Sequence, residues 1–229
     1  MRLVTALAAS AIFAIPVAAY QVAGTGSDEA AATQLAPMVM TTPPAPEAFG
    51  KRDTSTVEAG TYTVDTGHTT VTFTVDHLGF SSYTGQFGDP TGTLTLDPAN
   101  PAAASVEVTF PISGVSTTSD QLDQHLMSAD FFTAEEHPNA TFTSTDIVVE
   151  GQNAAIRGDL TMNGQTNSVV LQTQFYGAGV SGMSNKLNIG FRAVTTIDRS
   201  DWGIDYAIPM VSDEVLLVID AAFILDDEG

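Results

Sequence analysis

Four histidines, His68, His77, His125 and His137, are the side chains best suited to proton transfer or metal binding near neutral pH. No two stand at i, i+2 or i, i+4, so there is no local chelating motif. A metal site would have to be assembled from histidines far apart in the chain. Asp198, Asp201 and Asp205 cluster about Trp202, with Arg199 among them. The run Asp198-Arg199-Ser200-Asp201-Trp202-Gly203 has the look of a calcium loop, but Trp202 stands where an oxygen ligand belongs and Pro209 where the closing glutamate belongs. Arg199 beside an aspartate therefore reads as an ion pair pinning a turn. Nucleophilic chemistry has no foothold: there is no G-x-S-x-G elbow, no Ser-x-x-Lys and no cysteine. Gly177-Ala178-Gly179 lacks the lysine of a phosphate loop.

The elements that must position such residues follow from composition and pattern. The chain has 229 residues, 43% hydrophobic and 15% charged, as expected of a folded globule. Its 27 acidic residues against 7 basic ones give a net charge of −20. Such a molecule is repelled by polyphosphate, which excludes nucleic-acid binding and docking on anionic lipid through a basic patch. Arg2 followed by the apolar run Leu3–Ala19, ending Pro16-Val17-Ala18-Ala19, predicts a signal peptide over residues 1–19. The protein is then periplasmic or secreted, with no stable membrane anchor after cleavage. It is not a lipoprotein, because no cysteine is present to carry the lipid. Residues 20–59 are rich in Gly, Thr and Pro and predict a flexible tether. Residues 60–229 form the folded domain.

Within that domain the recurring pattern has period two. Val71, Phe73, Val75 and His77 share one face, and Thr70, Thr72, Thr74 and Asp76 the other. Leu94 with Leu96, Val106 with Val108 and Phe110, and Leu187 with Ile189, Phe191 and Ala193 repeat it. Asn163-Gly164 between two such runs predicts a two-residue hairpin. About eight strands with connections too short for helical crossovers predict an all-β fold, an antiparallel barrel. One segment departs: Leu122 and Leu126, four apart, with Thr118 and Gln121 as a capping box, predict a short α-helix near one end, over Thr118–Met127. Thr133 with Glu136 predicts a further helical turn before His137-Pro138.

These residues carry a resemblance. Tyr62-Thr63-Val64-Asp65 and Val71-Thr72-Phe73-Thr74-Val75-Asp76-His77-Leu78-Gly79 resemble the opening of the YceI family of periplasmic proteins. The likeness continues through Asp123-Gln124-His125-Leu126, Asp130-Phe131-Phe132 and His137-Pro138-Asn139-Ala140-Thr141-Phe142. It runs on through Gly158-Asp159-Leu160-Thr161-Met162-Asn163-Gly164, Arg199-Ser200-Asp201-Trp202-Gly203-Ile204 and Val211-Ser212-Asp213-Glu214-Val215. The resemblance implies a lipocalin-like, eight-stranded antiparallel β-barrel with a short helix beside its mouth. It also implies a polyisoprenoid chain held inside, and often a homodimer. Gln124 and Met127 stand where basic residues are common in the family, so a neutral quinone or phenol head fits this acidic domain better than an anionic pyrophosphate.

The expectation is therefore an exported lipid-binding protein, not an enzyme. It would hold a polyisoprenoid or isoprenoid-quinone chain in an apolar tunnel, for transport or storage, with no cofactor beyond that lipid. Val71, Phe73, Val75, Phe110, Leu126, Phe131, Phe132, Phe142 and Phe191 are expected to line the tunnel, with His77 facing the head group. The predicted helix with Phe131-Phe132 is the candidate lid. Two other readings stay open: an enzyme acting on a lipid or quinone with His77 and a carboxylate as acid–base pair, and an envelope interaction module using its acidic surface. A packed interior and a lined tunnel have the same periodicity.

Overall fold

A computed structural model describes residues 49–227. The expected signal peptide, residues 1–19, and residues 20–48 of the expected tether lie outside the described residues. Alternating Thr, Val and Phe build eleven β-segments. They are β1 (Gly60–Val64), β2 (Thr70–His77), β3 (Ser81–Phe87), β4 (Thr91–Leu96), β5 (Ser105–Pro111) and β6 (Val115–Ser116). After the helix α1 (Asp120–Leu126) come β7 (Asn139–Glu150), β8 (Asn153–Met162), β9 (Gln165–Val180), β10 (Leu187–Asp198) and β11 (Glu214–Leu225).

The sheet closes on itself. The order β1-β4-β5-β7-β8-β9-β10-β11 returns to β1 through Tyr62 opposite Leu225 and Val64 opposite Phe223, and every pairing is antiparallel. β11 also carries β2, then β3 and β6. β1 with β2, β3 with β4 and β5 with β6 are each one wall strand interrupted by a short break, such as the 3-10 turn Thr66–His68 capped by the Asp65 side chain. The result is a closed, eight-stranded antiparallel barrel, as the alternation predicts, and lipocalin-like, as the resemblance implies. Asn163 (φ +47°) and Gly164 (φ +73°) make the predicted tight hairpin between β8 and β9.

Three local expectations are corrected. The helix cap is Ser119, not Thr118: the Ser119 hydroxyl accepts from the Leu122 N–H (3.3 Å) and the helix is limited to Asp120–Leu126. The Asp123 carboxylate instead reaches back to the Thr117 N–H and hydroxyl (2.8 and 2.7 Å). Thr133 sits at φ +47° and caps nothing; its backbone carbonyl accepts from the Glu136 and His137 N–H groups, closing a turn without helix. Finally, the folded unit begins before Gly60. Lys51 exchanges two backbone hydrogen bonds with Ala178 (2.8 and 2.9 Å), and Gln152 donates to the Arg52 carbonyl (3.0 Å). Val57 packs on the buried cluster around Tyr62. β8 stops pairing at Gln174, so the β9 edge beyond it carries unpaired backbone groups that Lys51 satisfies.

Among the described residues no helix is long and apolar enough to cross a membrane.

Candidate functional site

Inward side chains pack at the two ends of the barrel and stand apart between them. One cluster gathers Tyr62, Leu94, Phe175, Ile189 and Phe223 at the end away from α1. Burial pushes the Tyr62 phenol above its ordinary range, and its hydroxyl donates to the Glu58 carbonyl (2.6 Å). The other gathers Met162, Val169, Ile197, Trp202, Ile204 and Val215 near α1. The Trp202 ring is 1% exposed and its indole N–H donates to the Leu160 carbonyl (3.0 Å).

Between and beside these clusters lies a cavity of about 830 Å³, bounded by side chains from every wall strand and from α1. Pockets that take small organic ligands run from about 300 to 1,000 Å³. Its wall is apolar almost throughout, with Thr54, Gln152 and Asn153 at one extreme and His77, His125 and Tyr206 at the other. All ten residues singled out from the sequence border it: Val71, Phe73, Val75 and His77 of β2, Phe110 of β5, Leu126 of α1, Phe131 and Phe132 after it, Phe142 of β7 and Phe191 of β10. Nine are half-buried or buried, whereas His77 is exposed, at the rim rather than inside.

Two glycines keep the lumen open. Phe73 on β2 pairs with Gly85 on β3, and a Cβ at Gly85 would collide with the Phe73 ring. A Cβ at Gly158 on β8 would collide likewise with the ring of Phe142. Each ring lies back against the wall in the space a side chain would take, a cross-strand packing of aromatic on glycine. Rings held there leave the axis free.

The rim near α1 is aromatic and polar. His125 lies edge-on to Phe131 (centroids 5.0 Å apart) and to Tyr206 (5.2 Å), and its Nε2 is 2.8 Å from Asp130 Oδ2. Phe132 packs edge-on to Phe87 at 5.5 Å. The α1 segment thus touches both the β3 wall and the loop after Trp202.

That loop is held by Arg199, and here the expected ion pair is replaced. Arg199 is 6% exposed, and its guanidinium donates to four backbone carbonyls: Ser212 (2.9 Å), Ile204 (2.9 Å), Tyr206 (2.9 Å) and Val211 (3.0 Å). Burial draws it below its ordinary value, though an arginine so placed stays cationic at neutral pH. The pinning role holds, but the partners are carbonyls because the loop curls around the side chain. Asp213 bonds Ser200 instead, through its hydroxyl (2.7 Å) and N–H (2.8 Å), and these bonds hold the carboxyl below its usual range. Asp198, Asp201 and Asp205 are exposed. No three His, Asp or Glu side chains converge on a metal position among the described residues.

Sequence reasoning missed Phe87, Leu122, His125 and Tyr206 as cavity residues. His125 was within reach of it: it lies three residues after Leu122 on the helix face that carries Leu126. Tyr206 lies in an irregular loop, where no periodicity points inward.

A YceI-like domain matches residues 62–223, nearly the whole barrel. This chain belongs to the YceI-like family. The protein YceI of Escherichia coli strain UMN026 is 41% identical over 152 residues, which cover 66% of this chain and 79% of that one. Among solved structures, the Campylobacter jejuni YceI protein is 29% identical with a TM-score of 0.59, covering 66% of this chain and 90% of that one. A polyisoprenoid-binding domain from Saccharophagus degradans, 14% identical, shares the fold at a TM-score of 0.57, covering 72% of this YceI-like chain and 98% of its own.

Proposed function

We propose that this protein is an exported, non-catalytic carrier that holds a polyisoprenoid or isoprenoid-quinone chain lengthwise in its barrel. The observation that carries the reading is the largely apolar cavity of about 830 Å³ inside a closed barrel. Burying one five-carbon isoprene unit contributes roughly 3–4 kcal/mol before ordering costs, so a few units hold such a lipid without special polar contacts. The ten residues named from the sequence are assigned to ligand contact. Nine are assigned to the hydrocarbon, and His77 to the head group at the rim, beside His125 and Tyr206.

The Saccharophagus domain is described as polyisoprenoid-binding, and the same barrel serves the reading here. His77 forms no ion pair with a carboxylate among the described residues. Export through cleavage after Ala19 places the carrier in the periplasm or outside the cell, and the net charge of −20 keeps it from nucleic acid. A homodimer is part of the proposal.

Native mass spectrometry of the exported protein, followed by organic extraction of the same sample, tests this directly. The expected result is a stoichiometric adduct that extracts as an isoprenoid, in a particle of twice the chain mass. A clean unliganded mass, with no uptake of added isoprenoid quinones, overturns the carrier reading.

A further inference from the structure

At the rim beside α1, four large apolar side chains face water together. Leu78 is 47% exposed, Phe80 87%, Tyr206 45% and Met210 57%. Two elements bring them together. The β2–β3 hairpin carries Leu78 and Phe80 at its tip, and the loop after Trp202 carries Tyr206 and Met210. The Leu78 N–H donates to the Met210 carbonyl (2.8 Å), and His77 pairs with Val211. His77, Tyr206 and Val211 also border the cavity, so the exposed patch and the apolar interior are continuous.

The hairpin tip is built at a cost. Leu78 (φ +59°) and Gly79 (φ +68°) are both left-handed, in a two-residue turn closed by the Phe80 N–H on the His77 carbonyl (3.1 Å). The β8–β9 hairpin has the same left-handed pair in Asn163 and Gly164. Asparagine tolerates that conformation, whereas leucine is strained in it and is pushed into water besides. The backbone gains nothing from Leu78 over asparagine. Strain of this kind points to a task for the side chain.

Charge narrows the task. Apart from the buried Arg199, the described basic residues lie on the wall or toward the opposite end: Arg157 and Arg192 sit in mid-strand, Arg192 paired with Asp220, Lys186 precedes β10, and Lys51, followed by Arg52, bridges to Ala178 of β9. The rim's own neighbours, Asp76 and Asp205, are acidic and exposed. An anionic surface is repelled here, and a neutral apolar one is not.

We propose that this rim docks on a zwitterionic lipid bilayer, inserting Leu78, Phe80, Tyr206 and Met210 at the head-group boundary so that the cavity mouth opens onto the membrane. A hydrophobic cargo then passes between bilayer and barrel without crossing water. The docking gives the carrier reading above its route of loading, and rests on it for its purpose.

The absence of cysteine makes the test direct. Ser82→Cys, exposed beside the tip, carries an environment-sensitive dye, and Met183→Cys, 93% exposed in the β9–β10 connection, carries the same dye as a control. Each full chain is mixed with phosphatidylcholine vesicles free of isoprenoid. The dye at position 82 should shift to the blue and be quenched by nitroxide-bearing acyl chains, while the dye at 183 stays in water. Adding Leu78→Asn and Phe80→Ser should abolish the shift at 82 and, by removing two apolar side chains, lower the share of vesicle binding made through the rim at least about ten-fold. Leu78→Asn alone should raise the melting temperature, which shows that any lost docking is not lost folding. A dye at 82 that stays in water overturns the docking, and so does a shift that survives the double substitution. A vesicle-free dimer dissolved by that substitution would give the rim to a second copy and overturn it too. Extraction of the same preparations separates the two proposals. Isoprenoid cargo without docking overturns the docking alone; docking in a chain that never takes up isoprenoid overturns the carrier reading and leaves the docking standing.

Discussion

Trp202 and Phe142 occupy neighbouring stretches of one barrel interior, and their surroundings differ. Trp202 is enclosed by Met162, Val169, Ile197 and Ile204, with its one polar atom bonded. Phe142 packs against the edge of the same cluster and then faces the void, half-buried, its ring laid over Gly158. Enclosure makes a side chain a part of the folding energy. A side chain with one face on a cavity gives up some of that energy, and the face left over is available to a ligand.

The sharpest way to break this contrast is to truncate both. Trp202→Ala should cost about 3–5 kcal/mol of stability, read as a shift of the denaturant midpoint at unchanged slope. Phe142→Ala should cost roughly half that or less, because its ring already borders a void, while changing lipid retention more than Trp202→Ala does in protein that is still folded. Equal stability losses would mean that the cavity is collapsed in solution.

A subtler change acts on the lumen alone. Gly85→Ala places a methyl where the Phe73 ring now lies and should turn that ring toward the axis. The expected cost is about 1–2 kcal/mol from overpacking, with a several-fold drop in extractable lipid per chain. Unchanged lipid content would show that the glycine does not hold the lumen open.

The smallest effect belongs to the packed loop behind Trp202. The Ser200 hydroxyl and N–H hold the Asp213 carboxyl below its ordinary range. A carboxyl with a lowered folded-state pKa adds stability above its unfolded value, about 3.9. That stability is lost as pH falls through the depressed one. Asp213→Asn should therefore lower the melting temperature slightly at neutral pH and flatten its fall below about pH 4. A steeper acid fall in the variant would contradict this assignment.

How much of this was legible depends on the range of the interaction. The Val71-Phe73-Val75 face and the Asn163-Gly164 turn were readable because alternation and left-handed turn chemistry are local. The helix was readable too, but its cap was not. Thr117, Thr118 and Ser119 all offer a hydroxyl, and the choice fell to Ser119 because Asp123 takes Thr117. Thr133 looked like a cap until the chain folded back on α1, with the Thr133 and Ala134 N–H groups bound to the Ser128 and Met127 carbonyls. Arg199 has aspartates beside it in sequence, yet its partners are carbonyls up to thirteen residues away. The membership of the cavity wall was legible for the ten residues named from the sequence, incomplete on the strands, where Phe87 was missed, and illegible for Tyr206, which a loop delivers.

Taken alone, the sequence determined the class of the fold, the strands and their inward faces, the acidic surface and the family. Each of these rests on periodicity, composition or a run of adjacent residues. Only the tertiary structure decided that the barrel is hollow, where Arg199 spends its hydrogen bonds, and that Leu78 and Phe80 meet Tyr206 and Met210 at one rim. Alternation states which way a side chain points and nothing of how far the opposite wall stands. That distance is set by barrel closure and by glycines such as Gly85 and Gly158, which let aromatic rings lie flat against the wall.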